Sequence, residues 1–214
     1  MIRYWPTSQA LCPAVRFAIK NRTSFYKPLA GVLIMPQLKS GDQAPAIVLP
    51  AVDGTTMDLS THKGKRVILT FFRFDSCPFC NLRIRRLVKR WNEFPEDTVM
   101  IGVFDAALPA LQKRMKKHEV PFTLVADETY QTFQDNGVRK SFFRAMITPF
   151  KAPLSFLESQ FRGYVPLTLS PAKLSTLPAD ILINEEGKVV EAHYCKDTVD
   201  HMPIEKMISF AQGN

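Results

Sequence analysis

Four residues, Cys77-Pro78-Phe79-Cys80, constrain this 214-residue chain more than any others, because of what stands on either side of them. Before them, Val67-Ile68-Leu69-Thr70-Phe71-Phe72 is short, apolar and rich in β-branched and aromatic residues, which predicts a fully buried strand. From Pro78 to Phe94 the pattern becomes helical. Cys80, Ile84, Leu87, Val88 and Trp91 share one face, and Arg83, Arg86 and Arg90 share another. Pro78 suits a first helical position, where its missing N–H would have had no partner. Cys77 therefore falls at a helix N-terminus, where free N–H groups and the helix dipole favour a thiolate. Two thiols one turn apart can also close a disulfide, so strand–CxxC–helix is a redox context.

Two other readings of the motif stay open at this point. A CxxC can be half of a zinc site, but zinc asks for about four ligands. Cys12 and Cys195 stand alone, and His62, His118, His193 and His201 form no cluster in sequence, so no metal is expected. The pair can also be a purely structural disulfide or two packed core thiols.

The net charge of +8 suggests nucleic acid until it is divided along the chain. Arg3, Arg16, Lys20, Arg22, Lys27 and Lys39 meet no acid before residue 42, and the rest of the chain holds 22 basic against 20 acidic side chains. The excess belongs to the leader, so no nucleic-acid partner is expected. No stretch has the length and apolarity of an integral membrane segment.

Residues 1–35 read as a basic leader outside the core. Acid-free and Ser/Thr-containing, with cations scattered among apolar residues, the leader has the character of an organellar transit segment. It can equally be an upstream artefact, with translation starting at Met35, or an ordered extension. Four cysteines do not make the dense framework of a secreted scaffold. The expected compartment is cytoplasmic, or organellar if residues 1–34 are a transit segment.

The domain is expected over 36–214. Ala46–Pro50 and Thr56–Leu59 predict strands around an Asp53-Gly54 turn. Thr98–Phe104 and Phe122–Ala126 predict further strands, each followed by a helix: Leu108–His118, then Glu128 to about Asn136, stopped by Gly137. Strands alternating with helices imply parallel pairing. An insertion at about 138–176 breaks the rhythm. It carries four prolines, six aromatics and six cations (Arg139, Lys140, Arg144, Lys151, Arg162, Lys173) against one acid, Glu158. A binding lid and a cover of one or two amphipathic helices over the sheet edge are both open. Leu177–Val190 then predicts an antiparallel hairpin turning at Gly187. A last helix follows, with Asp200 as N-cap and Ile204, Met207, Ile208 and Phe210 inward.

Together these elements resemble the thioredoxin fold, which implies an α/β/α sandwich: a central mixed sheet flanked by helices. The resemblance is closer to peroxiredoxin-like proteins of the alkyl hydroperoxide reductase/thiol-specific antioxidant family. Gly41-Asp42-Gln43-Ala44-Pro45 is similar to that family's G-x-x-A-P opening. Phe122-Thr123-Leu124-Val125-Ala126-Asp127-Glu128, continuing to Gly137-Val138, is similar to its "pf-L-aD … yGV" stretch. The likeness covers about 36–212 apart from the insertion.

Three positions depart from it. The family's Thr or Ser three residues before the peroxidatic cysteine corresponds to Cys77, with Cys80 at the peroxidatic position, and the proline of that loop corresponds to Arg73. Its late-strand arginine corresponds to Pro178. A thioredoxin-type alignment instead puts Pro178 at a cis-proline position against the redox pair. Backbone groups of Leu177 would then be left free for a substrate chain, and Phe79 would stand beside it. The buried acid of thioredoxins corresponds to Thr70.

The resemblance implies a thiol–disulfide oxidoreductase working in redox homeostasis without a cofactor. Cys77, activated by the helix N-terminus, Arg73 and Arg83, would attack a protein or small-molecule substrate. Cys80 would resolve the intermediate, and an external thiol would supply electrons. Cys77 is expected to be the more acidic and more accessible thiol. The alternatives are a thiol peroxidase with Cys80 peroxidatic and Cys77 resolving, and a redox-responsive binding protein without turnover. A homodimer is compatible with all three.

Overall fold

Alternation along the run before the CxxC decides the layering. Ile68 and Phe72 enter one apolar cluster, while Val67, Leu69 and Phe71 enter another on the opposite side. A strand buried on both faces needs cover on both. In the computed structural model, which describes residues 35–168 and 170–214, it has that cover. The expected leader, apart from Met35, lies outside the described residues.

The strands are β1 (Val48–Pro50), β2 (Thr56–Asp58), β3 (Val67–Phe71), β4 (Val99–Phe104), β5 (Thr123–Ala126), β6 (Ala179–Ile183) and β7 (Val189–Tyr194). The helices are α1 (Pro78–Lys89), α2 (Leu108–Met115), α3 (Gln131–Asp135), α4 (Phe142–Met146), α5 (Thr148–Lys151), α6 (Pro153–Phe161), α7 (Pro171–Leu174) and α8 (Ile204–Gln212). The main sheet runs β5-β4-β3-β6-β7. β3, β4 and β5 are parallel, while β6 and β7 run antiparallel to their neighbours. This is the expected mixed sheet. The β1–β2 hairpin forms around its predicted turn, pairing Val48 with Asp58.

On one face Ile84 and Leu87 of α1, Leu111 of α2 and Met207 of α8 pack on Ile68, Met100, Phe104 and Leu182. On the other, Ile47, Met57, Leu59 and Phe133 pack on Leu69, Ile101, Val103 and Ile181. Gly102 of β4 makes the first face possible. A Cβ there would stand 2.6 Å from Leu124 and 2.8 Å from the Phe72 ring. Its absence lets Phe72 stack on Phe104 with centroids 4.9 Å apart.

Three expectations change in detail. α1 ends at Lys89, and Trp91–Glu93 continue only as a single 3₁₀ turn. Asp200 does not cap α8, which starts at Ile204 behind Pro203. Its carboxylate instead accepts the Lys196 N–H at 2.8 Å within the preceding turn. The insertion is four short helices, and its longest, α6, packs on α1 rather than over the sheet edge.

Candidate active site

Cys77 is the N-cap of α1, with extended backbone angles and Pro78 at the first helical position. Its sulfur accepts the Cys80 N–H at 3.4 Å, one of the helix donors that lack an intrahelical partner. The Arg73 guanidinium, two residues beyond β3, donates to the same sulfur at 3.4 Å. Burial pushes the Cys77 thiol up. Hydrogen bonding from the Cys80 thiol, the Arg73 charge and the Cys80 N–H outweigh it and bring Cys77 down to about 6. For Cys80 burial comes first, and the hydrogen bond and negative charge at Cys77 add to it, so its thiol lies well above the ordinary range. At neutral pH the pair is a thiolate at Cys77 and a neutral thiol at Cys80. No disulfide joins them here.

The expectation that Cys77 is the more accessible thiol is corrected, because neither sulfur-bearing residue has exposed surface. The insertion closes over them. Leu167 donates its N–H to Ser76 Oγ at 3.1 Å. Phe156 of α6 packs against Phe79 with centroids 6.3 Å apart. Arg73 also donates Nε to Thr176 O at 2.7 Å and a second nitrogen to Leu174 O, fastening the end of the insertion to the thiolate's cation.

Asn81 holds the start of α1 by donating to Asp75 O and Cys77 O at 2.8 and 2.9 Å. With its NH₂ so committed, its Oδ1 accepts from His118 Nε2 at 2.9 Å. Burial, then the Lys117, Arg85 and Arg114 charges, brings His118 down to about 4, so the ring is neutral and able to donate. Tyr164 of the insertion lies against that ring, with centroids 5.5 Å apart.

The expectations at Pro178, Leu177 and Arg83 are corrected. No cis peptide bond occurs among the described residues, so Pro178 follows Leu177 in trans. The surrounding backbone is already paired. The Leu177 N–H donates to Arg139 O at 3.0 Å, Pro178 O accepts the Cys195 N–H at 3.1 Å, and Lys140 bridges Thr176. That leaves no open Leu177 N–H for an incoming chain. Phe79 is buried beneath Phe156 and, with Leu82, Arg83, Ser155, Thr198 and His201, lines a cavity of about 70 Å³. Arg83 turns away from Cys77 and donates to Met202 O at 2.6 Å.

Arg83 belongs to a second buried centre that sequence reasoning missed. Asp180 of β6 lies opposite Thr70, the position expected to replace a buried acid. It accepts from Thr70 Oγ1 at 2.9 Å and the Met202 N–H at 2.8 Å, and His201 Nδ1 lies 3.1 Å away. Burial raises Asp180, but the His201 charge and hydrogen bond, Arg83 and the Met202 N–H bring it down to about 2. The signal was one acid inside the apolar run Ala179–Ile183, a position that charges occupy only when paired.

Asp180, Cys195 and His201 bring three potential ligand atoms within 4.8 Å of one another. The carboxylate is already committed to three donors and Arg83 is close enough to act on both Asp180 and Cys195, so the cluster is a charge-balanced network, poorly suited to a cation. The Cys195 thiol is pushed far up, by burial first and then by Asp180.

Comparison with known proteins fits this geometry. The AhpC/TSA family model matches residues 40–192. Peroxiredoxin Bcp of Escherichia coli is 32% identical over 111 residues, which are 50% of this chain and 71% of that protein. The chloroplastic peroxiredoxin Q of Suaeda salsa is 27% identical over 114 residues, 53% of each chain. The solved structure of the peroxidoxin BcpB from Mycobacterium tuberculosis superposes with a TM-score of 0.60 at 17% identity, covering 82% of this chain and 97% of that one. That likeness speaks for the fold. The chain belongs to the AhpC/TSA family and is a thiol oxidoreductase on a thioredoxin-like α/β/α sandwich.

Proposed function

We propose that the protein is a thiol-dependent peroxidase in which Cys77 is the attacking thiolate and Cys80 the resolving thiol. The observation that carries this is the Cys77 sulfur held between the Arg73 guanidinium and the Cys80 N–H beneath a closed roof. Such a sulfur is charged, desolvated and out of reach of a folded protein's disulfide. A hydroperoxide is small enough to be admitted by a modest local opening.

The chemistry uses groups already in place. The Cys77 thiolate attacks the peroxide, forming an S–O bond as the O–O bond breaks. The Cys80 thiol supplies the proton that lets the leaving oxygen depart as an alcohol or water. Cys77 is then a sulfenic acid and Cys80 a thiolate, which attacks the Cys77 sulfur and expels hydroxide to close the disulfide. An external dithiol returns the pair to the reduced form. Arg73 steadies the thiolate before attack. The reading fits a cytoplasmic protein drawing on cellular thiols, as a monomer or a homodimer.

The test runs hydroperoxide consumption and insulin-disulfide reduction side by side on the wild type, Cys77→Ser and Cys80→Ser. Cys77→Ser should lose peroxide consumption altogether. Cys80→Ser should consume about one equivalent and stop at a sulfenic acid that a dimedone-type reagent captures. Peroxide turnover by Cys77→Ser that Cys80→Ser lacks would reverse the two roles. Insulin reduction without peroxide consumption would make the protein a disulfide reductase.

A further inference from the structure

The insertion packs Phe156 and Tyr164 inward but turns most of its large apolar side chains to solvent. Along α4 and α5, Ala145 and the hydroxyl-bearing Thr148 are buried, while Phe143, Met146 and Phe150 face solvent. Along α6, Ser159 is buried while Leu154, Leu157 and Phe161 face solvent. Both exposed sets follow i, i+3, i+7 spacing, so each forms a continuous stripe, on the wrong side for a helix stabilised by its own domain. The buried hydroxyls are satisfied: Thr148 Oγ1 donates to Arg144 O at 3.2 Å and accepts the Thr198 N–H at 3.3 Å, and Ser159 Oγ donates to Phe156 O at 2.6 Å. This arrangement is thus accommodated by the fold rather than resisted by it. Phe143, Phe150, Leu154 and Phe161 keep 75, 84, 81 and 90% of their surface in water, with Leu167 beside the roof at 73%. Apolar surface on this scale marks an interaction site.

Charge narrows the occupant. Residues 35–214 hold 23 basic and 20 acidic side chains, and the insertion alone contributes six of the former and one of the latter. The positive excess of the described domain is therefore concentrated on the segment carrying the stripes, and the remainder is slightly acidic. A second copy offering the same face would bring like charge to like charge. The acid-free residues 1–34 would do the same. An anionic surface is complementary. Lys151, Arg162 and Lys173 are paired with Asp197, Glu158 and Asp105, which leaves Arg139 and Arg144 as exposed cations on the same segment. Side chains that protrude almost wholly, on a segment with exposed cations, match insertion into a lipid layer, where phenyl and leucyl groups enter the acyl boundary and Arg meets headgroups.

We propose that the insertion docks the protein on an anionic membrane surface, with Phe143, Phe150, Leu154 and Phe161 as inserting side chains and exposed cations such as Arg139 and Arg144 contacting headgroups. None of these side chains contacts either cysteine, so docking is separable from the peroxidase reading.

The test is co-sedimentation of the full-length, reduced protein with phosphatidylcholine vesicles, with and without phosphatidylglycerol, at low and raised salt. The wild type should pellet with the phosphatidylglycerol vesicles, and raised salt should release part of it. The double variant Phe150→Ser/Phe161→Ser should lose about tenfold or more of the binding while keeping its unfolding transition. Arg144→Glu should weaken it by a smaller factor. Equal pelleting of wild type and double variant would assign any membrane affinity to another segment and overturn the proposal. So would failure of the wild type to bind. Sedimentation of the free wild type as a dimer that the double variant dissolves would give the surface to a second copy instead.

Discussion

The chain has 16 phenylalanines and uses them in two opposite ways. Phe71, Phe72, Phe74, Phe104 and Phe133 on and beside the sheet are completely buried, while Phe142, Phe143, Phe150 and Phe161 in the insertion stand mostly in water. Residue type cannot be what separates them. β3 and β4 are covered on both faces, so every side chain there enters one core or the other. The insertion is covered on one side only, by α1 and by the segments around Asp105, His118 and Thr198; Phe156 and Tyr164 pack inward, but the other buried residues of its helices, Ala145, Thr148 and Ser159, are small or hydroxyl-bearing. In the sheet, burial follows from topology; in the insertion, it follows from which helix face fits a basic neighbour.

The largest expected effect lies on the buried side of that contrast. Phe104→Ala removes a ring stacked on Phe72 and packed beneath α1, and should lower stability by about 3–5 kcal/mol in denaturant unfolding. A loss below about 1 kcal/mol would mean that this core can collapse around the gap and is less rigid than its burial implies.

Acid should expose the charges that the same interior holds. Asp180 has its native pKa held near 2, below the unfolded value of about 3.9. Its contribution is therefore complete above the unfolded value and is lost as pH falls toward 2, a difference of roughly 2–3 kcal/mol. His118 acts in a higher window. Its native pKa of about 4 lies below the unfolded 6.5, so the unfolded chain binds the proton first and stability already falls as pH drops below about 6.5. Stability should decline in two steps on acidification. Asp180→Asn should flatten the lower step, and His118→Gln the upper. An unchanged lower step in Asp180→Asn would show that the carboxylate is not held in the charged form.

Much of the buried half was legible in the sequence. Short apolar, β-branched runs identified β3 to β5 and the hairpin pattern around Gly187 identified β6 and β7, and Gly137 stops α3 with a backbone φ of 67°, where a Cβ would also crowd Pro36 and Gln37. The acidity order of Cys77 and Cys80 followed from their places before and inside the first turn of α1. What escaped depends on contacts between distant segments. The roof over Cys77 comes from residues 91 and about 100 positions later, which no local pattern encodes. Arg73 and Arg83 both looked near Cys77 by sequence distance. Only the turn of α1 sends Arg83 toward Met202 and leaves Arg73 beside the thiolate. Thr176 and Leu177 are likewise drawn into pairing with 139–140, which closes the backbone before Pro178 to an incoming chain. The exposed stripes were invisible because their period is that of any amphipathic helix, and period alone does not say which way the stripe points.

Arg73 sits on the border between the two halves and gives a smaller, local effect. Arg73→Gln removes the cation from Cys77 while leaving the Cys80 N–H in place. The thiolate midpoint, read from its ultraviolet absorbance against pH, should move up from about 6 by about one to two pH units. The roof should loosen as well, since Thr176 O and Leu174 O lose their donor, and Cys77 should become easier to alkylate per unit of thiolate. An unmoved midpoint would assign the acidity of Cys77 to the helix N-terminus and Cys80 alone.

The smallest effect is expected where the phenylalanines are most exposed. Phe150→Ser takes an aromatic ring from a position that is 84% exposed and replaces it with a polar side chain. No packing contact is lost on the scale of Phe104, and the backbone of α5 keeps its bonds, Phe150 donating to Ile147 O at 3.0 Å. Surface substitutions of this kind shift stability by about 0.5 kcal/mol or less, in either direction. Unfolding of Phe150→Ser and of wild type should therefore overlay, and the two should differ only where an apolar surface is offered to them. A loss above about 1 kcal/mol would mean that the ring is covered in solution. The division between buried and exposed phenylalanines would then have to be redrawn at α5.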